Sequence, residues 1–218
     1  MVTVLAIGAH PDDIELGCSG TLIKHKKNGD EIYLLVLTKG EASGDPHIRE
    51  SECRKAAEMI GAKEIFFGGL EDTKIDDGIK TIMTIEKIIN KVTPDIIYTH
   101  TTKDTHQDHR NTGYATLSAG RRCKKILMYE SPTTFREFTP QIFISIKEHF
   151  EQKKKLIRLF SSQSKKEWWA IGQRAVMAIE GLAFYRGFQA GVEVAEAFEV
   201  GRLVVSEEEI IIFGNKSS

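Results

Sequence analysis

Apolar residues fall along the first part of the chain in two alternating patterns. Short, nearly all-apolar runs stand at 2–7, 32–37, 64–67, 95–99 and 126–129. Runs of that length, apolar at odd and even positions alike, are expected of parallel strands covered on both faces. Between them apolar residues return at helical spacing. Residues 19–28 read as a helix stopped by Gly29, and 48–60 as a second, with Cys53, Ala56, Ala57 and Ile60 on one face and Gly61 as its stop. Residues 79–92 repeat Ile82, Ile85, Ile88, Ile89 and Val92, and 111–120 form a fourth helix. Strand and helix in strict alternation predict an α/β fold: an open, mostly parallel sheet joined by right-handed crossovers, with helices on both faces.

The remainder is less regular. A strand is expected at 142–146, and a helix at 147–160 with Ile146, Phe150, Ile157 and Phe160 on one side. A further helix is expected at 173–185, a last strand at 202–205, a small edge strand at 208–213, and fraying at 216–218. No internal repeat, low-complexity segment or linker divides the chain. It reads as one domain over 1–218, a core over 1–130 with an α+β extension over 131–218 packed on it.

Charge excludes some partners. The formal net charge of the 218 residues is -1, so no global field draws nucleic acid or an anionic membrane. The basic clusters at 24–27, 121–125 and 153–155 read as solvated helix faces. Three cysteines, Cys18, Cys53 and Cys123, form no CxxC pair and leave an odd one over, which suits a reducing compartment. The start carries no secretory pattern, and no continuous apolar run is long enough to span a bilayer. A cytoplasmic, soluble chain without a membrane partner is expected.

Polar clusters then locate the chemistry. Ligands in open α/β sheets sit beyond the carboxyl ends of the strands, and His10-Pro11-Asp12-Asp13 with Glu15 follows the first strand there. Glu41 to Arg49 follow the second, Glu71 and Asp72 the third, and His100 to Arg110 the fourth. A catalytic zinc takes three nitrogen or oxygen ligands and keeps one position open. His10 and Asp13, three apart at a strand-to-helix turn, can face one point, and the segment His106-Gln107-Asp108-His109 can add an imidazole. Asp12, next to a ligand but pointing elsewhere, suits a general base. His106 suits the group that steadies an oxyanion and delivers a proton, with Asp108 fixing its tautomer.

These residues resemble a known family. Ala9-His10-Pro11-Asp12-Asp13-Ile14-Glu15, followed by Gly17, Gly20 and Thr21, is similar to the signature of the PIG-L/LmbE-like zinc N-deacetylases. Thr105 to Asn111 resembles that family's second motif, Ile48-Arg49-Glu50-Ser51-Glu52 its Arg-x-x-Glu segment, and Ala195-Glu196-Ala197-Phe198 its C-terminal signature. The resemblance implies a Rossmann-like fold and removal of the acetyl group from an N-acetylated amino sugar such as an N-acetylglucosamine conjugate. It implies His10, Asp13 and His109 as zinc ligands, Asp12 as base, and His106 as stabiliser of the tetrahedral intermediate supported by Asp108. It further implies Arg49 and Asp72 at the sugar, and a homo-oligomer, trimer or hexamer. Iron(II) is the alternative metal, because two histidines and one carboxylate suit both.

Blander readings attach to other positions. Glu15 reads as support for the helix start or a ligand, and His100 as a buried or pocket-lining group. His25, His47 and His149 read as solvated; Trp168 and Trp169 read as anchors of a lobe or interface. GAHPDDIELGCSG lacks G-x-G-x-x-G, which excludes a dinucleotide loop. The alternatives to a sugar deacetylase are a metal-dependent hydrolase of another amide or ester, and a non-catalytic carbohydrate-binding protein.

Overall fold

The computed structural model describes residues 1–164 and 171–205, with side chains described outside 163–175. Among these residues seven strands form one sheet: β1 (Thr3–Gly8), β2 (Glu31–Val36), β3 (Glu64–Phe67), β4 (Ile96–His100), β5 (Lys125–Tyr129), β6 (Ile142–Ser145) and β7 (Ala195–Leu203). Their order is β3-β2-β1-β4-β5-β7-β6. The first five run parallel, and β7 is antiparallel to both β5 and β6. The chain therefore winds outward from β1 in one direction through β2 and β3, then restarts beside β1 with β4. The crevice between β1 and β4 is the topological switch point, where such sheets bind ligands.

Helices cover both faces. Val4 and Ala6 of β1 point into one core layer with Ile32 and Leu34, under α1 (Asp13–Lys27), α2 (Pro46–Ile60) and α5 (Phe150–Arg158). Leu5 and Ile7 point into the other with Leu35 and Leu37, under α3 (Ile79–Val92) and α4 (Gln107–Ala119). Burial of both alternating sets is why these strands read as continuous apolar runs. The other α-helices among the described residues are the short α6 (Ser161–Ser164) and the long α7 (Ile171–Ala190). No helix among the described residues is long and apolar enough to cross a membrane.

Several expected boundaries are corrected. α1 starts at Asp13 rather than 19, because its first turns bury Asp13, Glu15 and Gly17 instead of an apolar stripe. Gly17 is required there: a Cβ would enter the Tyr129 ring, so its absence lets α1 lie against β5. α4 starts at Gln107 rather than 111, and the helix expected at 173–185 runs from Ile171 to Ala190. The strand expected at 202–205 is the end of the nine-residue β7, whose buried Glu196 and Glu199 disguise it as polar. In the C-terminal part β6 and β7 extend the sheet beyond β5, and Leu156 of α5 joins the core layer under α1.

Two histidines expected in solvent are also corrected. His25 bonds Asp30 and Tyr98, and His149 is buried. The strand expected at 208–213, the fraying at 216–218, and Trp168 with Trp169 lie outside the described residues.

Candidate metal centre

The loops after β1 and β4 bring three of the expected residues to one point. Ligand atoms of His10, Asp13 and His109 all lie within 4.8 Å of one another, and all three residues are buried. Asp13 opens α1, and its Oδ2 accepts the His10 backbone N–H at 2.7 Å, which ties ligand to ligand within the turn. Its carboxylate stands 3.3 Å from His10 Nδ1 and 3.2 Å from His109 Nε2. His100, the last residue of β4, places Nε2 3.0 Å from the same carboxylate.

The opposite nitrogens of the two imidazoles are each backed by acids. His10 Nε2 lies 3.0 Å from Asp108 Oδ2 and 3.1 Å from Asp72 Oδ1. His109 Nδ1 lies 3.2 Å from Asp104 Oδ2, and Asp104 is fully buried. Carboxylates behind ligating histidines fix ring orientation and raise basicity. Asp104 was not foreseen. The one signal for it is its place two residues before His106 in a loop already rich in ligands. Its own oxygens accept from Ser131 Oγ at 2.6 Å, Thr133 Oγ1 at 2.8 Å and the His106 N–H at 2.9 Å.

Asp108 reaches His106 through its backbone, where a side-chain contact was expected. Its carboxylate meets His10 and the Thr73 N–H (2.8 Å), not the His106 ring. What reaches His106 is the Asp108 backbone N–H, which donates to His106 Nδ1 at 3.2 Å as the helix cap of α4. With Nδ1 accepting, the neutral ring carries its proton on Nε2. The half-buried His106 lies with ring centroids 4.9 Å from His10 and 4.5 Å from His109, and burial together with those two rings pulls its pKa down.

Asp12 is buried beside this cluster without making a side-chain cap bond to α1. Its backbone has φ 102°, a left-handed conformation that costs a residue other than glycine about 1–3 kcal/mol. Burial pushes its carboxyl up to about 7, with the Arg49 charge opposing. Asp72 is buried against His10 and accepts the Ala42 N–H at 3.0 Å. Arg49, expected at a sugar, is 3% exposed and turned toward backbone: Nη2 donates to Pro11 O at 2.7 Å and Nη1 to Gly40 O at 2.8 Å.

The donor set fits a divalent cation. Two imidazoles and a carboxylate without a thiolate suit zinc or iron(II) in a catalytic site. Protons alone answer the charge at some cost: burial would depress His109, yet Asp13 and Asp104 outweigh it and lift it to about 9. Burial likewise opposes the charge on His10, and Asp108, Asp13 and Asp72 raise it well above the ordinary imidazole value. Asp108 Oδ1 is buried and has no hydrogen-bond partner among the described residues.

Residues 5–120 match the family model described as PIG-L, GlcNAc-PI de-N-acetylase. The chain belongs to the PIG-L family. Among its relatives is the uncharacterized deacetylase YaiS of Escherichia coli strain K12, 37% identical over 156 residues, covering 67% of this chain and 83% of that protein. The diacetylchitobiose deacetylase of Thermococcus kodakarensis is 27% identical over 218 residues, 88% of this chain and 80% of that one. The crystal structure of the conserved protein TT1542 from Thermus thermophilus superposes with a TM-score of 0.84 at 25% identity, over 94% of this chain and 97% of that one. The fold shared with that protein thus spans nearly all of the chain, beyond the matched 5–120.

Proposed function

We propose that the chain is a zinc-dependent N-deacetylase that releases acetate from a small N-acetylated amino sugar or its conjugate, of the N-acetylglucosaminyl type. The observation that carries this reading is the convergence of His10, Asp13 and His109 at the switch point, with Asp12 and His106 flanking them. In it His10, Asp13 and His109 hold the cation, with iron(II) as the alternative to zinc. When bound, the cation supplies Lewis-acid polarisation of the acetamide carbonyl and of water.

The chain's own groups do the rest. Asp12 sits in a buried carboxyl environment near 7, where it can take the proton of the attacking water at neutral pH. His106 presents Nε2–H, held in that tautomer by the Asp108 amide, as a donor to the oxyanion that forms as the water oxygen bonds to carbon. The proton gathered on Asp12 then passes to the departing nitrogen as the C–N bond breaks, and the remaining acid proton is also taken up by the amine, leaving acetate and an ammonium group. Asp72 borders this space and is assigned to sugar hydroxyls. A trimeric or hexameric state and a cytoplasmic location complete the reading, checked by sedimentation and by fractionation of cells.

Zinc-loaded protein incubated with a panel of N-acetylglucosamine conjugates, chitobiose and matched acetyl esters should release acetate from amides in preference to esters. Absence of acetate across all the amino sugars would sink the proposal, and faster turnover of the esters would reassign the substrate.

A further inference from the structure

Asp104 is fully buried behind His109, and both of its oxygens are held from a neighbouring loop, the one between β5 and β6. Oδ2, the oxygen 3.2 Å from His109 Nδ1, accepts Ser131 Oγ at 2.6 Å. Oδ1 accepts Thr133 Oγ1 at 2.8 Å and the His106 N–H at 2.9 Å. A hydroxyl bonded to a carboxylate is charge-assisted, roughly twice as strong as a neutral pair. With both oxygens occupied, the carboxylate cannot turn away from the imidazole without losing these bonds. On its other side His109 brings Nε2 to 3.2 Å from Asp13. A line of contacts thus runs from the β5–β6 loop through Asp104 and the His109 ring into the metal centre.

The two hydroxyls are not what fastens that loop. The Thr105 N–H and Oγ1 both donate to Thr133 O at 3.0 Å, and the Phe135 N–H donates to Lys103 O at 2.8 Å. Where the loop begins, Arg186 grips Glu130 with two bonds of 2.7 Å. Where it ends, the buried Glu199 accepts the Thr139 N–H at 2.8 Å, together with Thr101 Oγ1 and Lys103 Nζ of the β4–α4 loop. The other bonds of the two hydroxyls are to each other's residue: they lie 2.8 Å apart, and Ser131 Oγ accepts the Thr133 N–H at 3.2 Å. We infer that Ser131 and Thr133 are positioning residues of the metal centre. They fix Asp104, and through it the His109 imidazole, so that the β5–β6 loop sets how tightly the site keeps its cation. The inference rests on His109 being a metal ligand, as proposed above.

Competition with a chromogenic chelator reads zinc affinity directly and needs no turnover. Ser131→Ala combined with Thr133→Val should weaken zinc about tenfold, the lower end of the loss for groups behind a metal ligand. In an Asp104→Ala background the same two changes should cost no more than about twofold, because the group they act through is gone. Thr133→Ser, which keeps the hydroxyl, should bind zinc like the wild type, and Thr133→Val alone should bind it more weakly.

Wild-type affinity in the double variant would overturn the inference. So would an undiminished loss in the Asp104→Ala background, since the loop would then act by another route. Should the double variant or Asp104→Ala fail to fold, Thr133→Val against Thr133→Ser still decides, and equal affinities would overturn the inference. His109→Ala tests the assignment underneath. Zinc retained there would overturn the ligand assignment and the inference together, whereas zinc lost there but kept in the loop variants would overturn the inference alone.

Discussion

Histidine and aspartate meet at both ends of the sheet, with opposite consequences. At the amino end His25, near the close of α1, bonds Asp30 through Nδ1 at 2.7 Å and the Tyr98 hydroxyl through Nε2 at 2.9 Å. The second Asp30 oxygen accepts the Val2 N–H at 2.8 Å. Each polar atom has its own partner, and the set closes on itself. At the carboxyl end four histidines face Asp12, Asp13, Asp72, Asp104 and Asp108, several atoms share one partner, and Asp108 Oδ1 has none among the described residues. A closed set stabilises the fold; a crowded, buried one whose groups share partners marks a functional site.

The largest expected effect tests the open end. Asp12→Asn should cost about 10²–10⁴-fold in kcat, the range for a lost general base, while metal analysis still finds a full complement of zinc. Loss of zinc instead would mean that Asp12 and Asp13 have exchanged roles.

The next prediction concerns a closed set built into α1. Lys153 Nζ, fully buried, donates to Leu16 O at 2.7 Å and pairs with Glu196. Glu196 in turn accepts the Gly20 and Thr21 N–H groups at 2.9 and 2.7 Å. Lys153→Met strands a buried carboxylate and should destabilise the chain by about 3–5 kcal/mol in denaturant titration. If the contrast between the two kinds of set holds, kcat of the folded variant stays near wild type.

These two clusters also show what was legible in the sequence. His10, Asp13 and His109 could be found because each follows an apolar strand whose pattern announces where the loop begins. Position in an α/β sheet then does the work that a contact map would otherwise do. The Lys153–Glu196 pair was invisible for the opposite reason. Its partners lie far apart in sequence: Lys153 reads as one charge of a solvated helix face, and Glu196 stands in a motif that names no partner for it. β7 was hidden by its two buried glutamates, and the start of α1 by its buried acids and Gly17. Arg49 was recognisable as important by its motif, but the direction its guanidinium takes depends on Gly40 and Pro11, which no local pattern reports. Periodicity finds apolar faces; a polar face that is buried leaves no period to read.

Within the open end, the acids behind the ligands should matter less than the base. Asp108→Asn keeps the shape but weakens the carboxylate behind His10 Nε2, and zinc affinity should drop about 10–100-fold in competition with a chromogenic chelator. An unchanged affinity would show that Asp72, on the same nitrogen, suffices alone.

The smallest effect belongs to the closed set at the amino end, and pH reveals it. Burial alone would raise the Asp30 carboxyl, but the His25 bond and the Val2 N–H outweigh it and hold its pKa below the ordinary carboxylate value. A depressed folded-state pKa gives stability that is complete above the unfolded value and lost as pH falls through the folded one. Asp30→Asn should therefore cost about 1 kcal/mol at neutral pH, the worth of one such hydrogen bond, with the difference from wild type shrinking in acid. kcat should not move. A change in kcat at neutral pH would mean the His25 set reaches the site through α1, whose other end carries Asp13, and the two ends of the sheet would no longer be independent.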